Sequence, residues 1–108
     1  RKDCQPDPYN HGLRLSPEGE RVDYSASEFS LRPLRYWRDQ SGTDWPIEWQ
    51  VVLGADQFNV SALVPDQVMA TGIRYWEGIV GVHRQSERIG TGYLEMTGYG
   101  GNRDAACR

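Results

Sequence analysis

Arg74-Tyr75-Trp76-Glu77-Gly78 and, after a short polar break, Gly90-Thr91-Gly92-Tyr93-Leu94-Glu95-Met96-Thr97-Gly98-Tyr99 form the stretch on which the fold is decided. In both blocks successive side chains alternate between two sets, which is the period of a β-strand and not of a helix. With residues 73–83 as one arm, 90–99 as the other and 84–89 as the connection, tipped by Gln85-Ser86-Glu87-Arg88, the stretch reads as an antiparallel hairpin. A turn centred near Ser86 sets Glu77 opposite Glu95. One face then carries Tyr75, Glu77 and Ile79 with Tyr93, Glu95 and Thr97, while Trp76, Val80, Val82, Leu94 and Met96 make the other.

The same alternation recurs upstream. Ile47, Trp49, Val51 and Leu53 share a face against Glu48 and Gln50, Gly54-Ala55-Asp56-Gln57 reads as a turn, and Phe58, Val60, Ala62 and Val64 alternate until Pro65 stops the run. Residues 12–15 and 21–24 flank Ser16-Pro17-Glu18-Gly19, a second turn. Residues 29–38 form a further strand, which Pro33 assigns to an edge or a bulge. No stretch keeps apolar residues at helical spacing behind a plausible cap. About seven short strands separated by turns define an all-β antiparallel domain, a sandwich or barrel, and a set that small can leave a gap in the ring. Glycines at 78, 81, 90, 92, 98, 100 and 101 suit the sharp bending that closure needs.

Composition narrows the function. A chain of 108 residues holds one domain, here 1–108, with 1–10 and 102–108 as polar, loosely held ends. Twelve Lys and Arg stand against fifteen Asp and Glu, and the one lysine is Lys2, so no basic surface for nucleic acid is available. No apolar run approaches the length of a membrane span, and no signal or transit pattern is present. The start at Arg1 without Met points to a mature secreted form or to a piece of a longer chain. Apolar residues make up only 38% of the chain, so the core rests on four Trp, six Tyr and two Phe. Cys4 and Cys107 sit too far apart in sequence for a zinc knuckle or redox pair; joined, they would close a loop of nearly the whole chain, and apart, they are two thiols in the ends.

Two constellations could carry chemistry. Glu77 and Glu95, framed by tyrosines, could act as a general acid beside a general base, or could simply pair with Arg35, Arg38 or Arg74, or accept tyrosine hydroxyls, in a polar barrel interior. Trp37, Trp45 and Trp49, in a segment broken by a polar loop, could line the mouth of an apolar site or plug one end of a barrel. A Gly-x-Ser-x-Gly elbow, a dinucleotide fingerprint and a phosphate loop are all missing, and His11 and His83 have no evident nucleophile to serve.

Tyr36-Trp37 with Ser41-Gly42 and Trp45-Pro46-x-x-Trp49, then Tyr75-Trp76-Glu77-Gly78, then Gly90-x-Gly92-Tyr93-Leu94-Glu95-x-Thr97-Gly98-Tyr99, resemble the C-terminal lipocalin-like domain of the carotenoid 1,2-hydratase (hydroxyneurosporene synthase) superfamily, many of whose members are described as predicted secreted hydrolases. The resemblance spans residues 29–101. It implies a calycin-like β-barrel of seven to eight strands and an apolar, isoprenoid-, polyene- or lipid-like ligand. It further implies acid chemistry without metal or organic cofactor, a second lipocalin-like domain, and a periplasmic or secreted location; a homodimer partner goes instead with a purely structural role. Trp37, Trp45, Trp49, Tyr75, Trp76 and Tyr93 become the candidate ligand-binding residues; Glu77 and Glu95 are the candidate catalytic ones from their shared face, not from a match to the family's catalytic carboxylate. The expectation is a ligand-binding unit of a two-domain hydratase-like protein. The alternatives are a hydratase, hydrolase or cyclase acting alone, and a structural domain that docks another domain or a second copy.

Overall fold

The computed structural model describes residues 7–70 and 72–99, all of it strand, turn and loop. Cys4, Cys107 and the segments 1–6 and 100–108 lie outside the described residues, as does Thr71. Eight strands follow in order: β1 (Gly12–Leu15), β2 (Arg21–Tyr24), β3 (Phe29–Arg38), β4 (Asp44–Leu53), β5 (Asp56–Ala62), β6 (Val68–Met69), β7 (Tyr75–Arg84) and β8 (Glu87–Thr97). β1 and β2 form a separate hairpin; the rest form one antiparallel sheet ordered β3-β4-β5-β7, with β8 on the far edge of β7. β5 and β6 lie along the same edge of β7, one opposite its second half and one opposite its start, as a single strand interrupted by residues 63–67. Two hydrogen bonds bracket the interruption: Leu63 N donates to Ile79 O and Glu77 N to Gln67 O, both at 3.1 Å.

The decisive hairpin keeps the expected register, with Glu77 facing Glu95 and Trp76 facing Met96. Its connection is shorter than the sequence suggested. Arg84 and residues 87–89 belong to the strands, and the loop is Gln85-Ser86 alone, both at positive φ (50° and 74°). Two successive left-handed residues make the turn whose twist matches that of the flanking strands. A register shift after Val82 absorbs the odd residue. Similarly, β5 begins at Asp56 and ends at Ala62, so the turn after β4 is two residues long and Val64 lies beyond the strand. Pro33 does sit on the edge strand β3, beside two register shifts.

Cross-strand neighbours share a face, so the register shows where the apolar rows run. Leu31, Val51 and Phe58 form one row; Pro33, Trp49, Val60, Val82 and Gly90 form the next; Ala62, Val80 and Gly92 a third; Val68, Trp76 and Met96 a fourth. All lie on the core side. The closed core is Trp45, Ile47, Ala62, Trp76 and Met96, with Trp37, Trp49, Val68, Leu94 and Tyr99 packed round it. Three strand spacings separate β4 from β8, about 14 Å in a flat sheet. Yet Met96 packs in one cluster with Trp45, and the rings of Trp45 and Tyr99 are 5.7 Å apart between centroids. The sheet is therefore coiled round its own aromatic core. Among the described residues β3 and β8 do not pair, so the coil is an incomplete barrel.

Candidate functional site

The tryptophans occupy the closed end of the coil. Trp45 and Trp76 are fully buried, and the indole N–H groups that burial would leave costly are bonded within the chain: Trp45 Nε1 donates to Asp39 Oδ2 (2.9 Å), Trp76 Nε1 to Pro65 O (2.7 Å) and Trp49 Nε1 to Pro46 O (3.1 Å). Trp45 and Trp76 fill this end as a plug, and Trp37 and Trp49 are half-buried against it.

Asp39, which the sequence reading passed over, organises this end. Its carboxylate is buried and accepts from Ser41 N (2.8 Å), Ser41 Oγ (2.7 Å), Thr43 N (3.1 Å) and Trp45 Nε1, while Arg74 Nη2 lies 3.0 Å from Oδ2. Burial alone would raise its pKa; the hydrogen bonds from Ser41, Trp45 and Thr43 outweigh it and hold the group well below the usual carboxylate range. The sequence signal was available in Asp39-Gln40-Ser41-Gly42-Thr43, an aspartate whose side chain can satisfy the backbone of the turn it opens.

Glu77 and Glu95 face each other on the outer side of β7 and β8, away from every tryptophan. Tyr75 and Tyr93 share that outer face, so the six aromatic residues expected to bind a ligand divide into four on the core side and two outside. Tyr93 hydrogen-bonds Glu77, and that bond, with burial and the charges of Glu77 and Glu95, raises its hydroxyl pKa. The expected arginine partners are engaged elsewhere. Arg35 meets Glu48 (3.4 Å), Arg38 meets Asp44 (2.8 Å) and Arg74 meets Asp39. The barrel interior is apolar, not polar, and the tyrosine hydroxyl is the part of that expectation the carboxylates do meet. Glu77 and Glu95 are thus framed by tyrosines on one face, and the sheet lies between them and the tryptophan core. Among the described residues no three His, Cys, Asp or Glu side chains group closely enough to hold a metal ion.

Away from the plug the core-side rows open. Phe29, Val51, Leu53, Phe58, Val60 and Val82 are only half-buried, and Leu31 is 54% exposed. Arg84 closes over the Phe58 ring at 4.9 Å and joins Asp56, which also pairs with Arg14 of β1. Beside this polar rim lies a shallow hollow of about 450 Å³ lined by Ala55, Asp56, Gln57, Arg84 and Gln85.

A coiled antiparallel sheet with one plugged end and one open apolar end is a lipocalin-like architecture. The family model described as AttH-like matches residues 1–99, and the chain belongs to that family. AttH is a lipocalin-like fold related to the carotenoid hydratases, and nothing in the match selects a particular hydratase. A crystal structure of a candidate AttH from Nitrosomonas europaea is similar over 81% of this chain, with 28% sequence identity and a TM-score of 0.75. The matched part is 29% of that longer protein. A comparison with curated proteins gives no match. Among the described residues no helix is long and apolar enough to cross a membrane.

Proposed function

We propose that this domain holds an elongated apolar small molecule, isoprenoid-, polyene- or lipid-like, along the core-side face between the tryptophan plug and the β1–β2 end. The observation that carries the reading is the exposure gradient. Side chains on one continuous face run from full burial at Trp45 and Trp76 to half exposure at Phe58 and Leu31. An apolar surface left open at the end of a closed core is the surface a ligand covers. On this reading the domain serves as one unit of a longer hydratase-like protein in the periplasm or outside the cell; the greater length of the structural neighbour, of which the match covers 29%, supports the first part. Cys4 and Cys107 would be joined in such a compartment, which the mass of non-reduced peptides would check.

Titration with retinol, a carotenoid and oleic acid is expected to shift the tryptophan emission. Leu31→Glu, at the open end, should weaken binding by roughly tenfold or more, since a charge is costly beside an apolar ligand. No response across the panel would overturn the reading. Acid catalysis by this chain alone would need Glu77 or Glu95 to reach a substrate from the outer face. Glu77→Gln and Glu95→Gln are expected to leave apolar ligand binding unchanged, and a loss in either would move the site to the outer face.

A further inference from the structure

The two edges of the sheet differ in how they are protected. β3 carries Pro33, two register shifts and the exposed arginines Arg32, Arg35 and Arg38, each of which discourages pairing along an edge. β8 carries one exposed charge, Glu95, between Gly90 and Thr97, but no proline, no shift and no ladder partner on its outer edge among the described residues. A regular unpaired strand of that length presents a row of backbone donors and acceptors.

Its side chains specify what would fit. On the core side Gly90 and Gly92 lie against Val82 and Val80 of β7 and offer no side chain of their own to a strand on the other edge, so an apolar side chain there would extend the valine row. On the outer side Glu95 stands directly opposite Glu77, a like-charge pair that costs stability. Asp23, Asp44, Glu48 and Asp56, on other strands, each meet an arginine, whereas Glu77 and Glu95 meet none among the described residues. We propose that the free edge of β8 is a strand-addition site for an extended segment of a partner polypeptide, apolar at the positions beside Gly90 and Gly92 and basic at those beside Glu95. A second copy fits poorly. Antiparallel pairing of two β8 strands would bring a second glutamate-bearing edge to the first, and β3 is too irregular to serve. The site does not depend on the ligand proposed above.

The test uses this chain and ten-residue peptides of alternating valine and lysine, with three controls: the same peptide N-methylated at every second residue, a scrambled peptide of equal composition, and a valine–glutamate version. The valine–lysine peptide is expected to bind roughly tenfold or more tightly than any control. Hydrogen exchange of alternate amides within residues 90–97 should slow on binding. Glu95→Lys should transfer the preference to the valine–glutamate peptide, with the exchange pattern retained. Equal binding of the N-methylated or scrambled peptide, no binding at all, or protection confined to other strands would overturn the proposal. So would a concentration-dependent dimer, seen by sedimentation, whose β8 amides are protected without any peptide.

Discussion

Asp39 shows how one buried carboxylate can hold several elements. It satisfies a turn, an indole and an arginine at once, so its removal strips the Trp45 N–H of its partner and leaves Arg74 without its anion. Asp39→Ala is expected to cost about 3 kcal/mol, an apparent Tm drop of roughly 10–20 °C by calorimetry. The pH dependence has a definite sign. Because the folded pKa lies below the unfolded value of 3.8, the contribution is complete above about pH 4 and is lost as pH falls further toward the folded pKa. Urea midpoints between pH 6 and pH 2.5 should therefore decline less in the Ala variant than in the wild type. Gly78 is a second sensitive point. A Cβ there would lie 2.9 Å from Gln67 Cγ and 3.1 Å from Trp76 Cη2, so Gly78→Ala should destabilise by about 1–3 kcal/mol through overpacking, measurable in the same urea titrations.

At the scale of the element, the β7–β8 hairpin was legible because alternation fixes faces and a short turn fixes register. Trp76 and Met96 are core and Glu77 opposes Glu95, as that pattern requires. The turn itself was not legible. Gln85 and Ser86 occupy left-handed positions that favour Asn and Gly, so local composition pointed to a longer connection. Replacing them with Asn-Gly is expected to stabilise the domain by about 0.5–1 kcal/mol, seen as a raised urea midpoint with unchanged m-value. The break between β5 and β6 was equally hidden. Pro65 marks where the run stops, but only the paired strand β7 shows that the chain rejoins the same edge at Val68.

For the whole molecule, sequence carried the all-β class, most strand positions and the aromatic content of the core. It also carried the two faces of the β7–β8 hairpin, although the candidate ligand-binding residues were drawn from both of them. Tyr75 and Tyr93 were grouped with Trp37, Trp45, Trp49 and Trp76 by their kind, whereas the pleat sends them to opposite sides of the sheet. Asp39 was missed for a related reason: its partners come from the turn after it and from Arg74, far away in sequence, and only the coiled sheet brings them to one point. The exposure gradient from Trp45 to Leu31 likewise follows from coiling, which tightens one end of the face and leaves the other open. The Leu31→Glu titration is a test of that shape more than of any single contact.

The strand order also bears on time. Apart from the step over the two-residue β6, every ladder among the described residues joins strands that are neighbours along the chain, so each pairing closes a short loop before the next begins. Folding rates fall as contacts become more remote in sequence, and this meander keeps them local for an all-β chain. Stopped-flow refolding should accordingly run at the fast end of the range for β-sheet domains, within milliseconds, and the β7–β8 hairpin, with its two-residue turn, is the segment best placed to nucleate it.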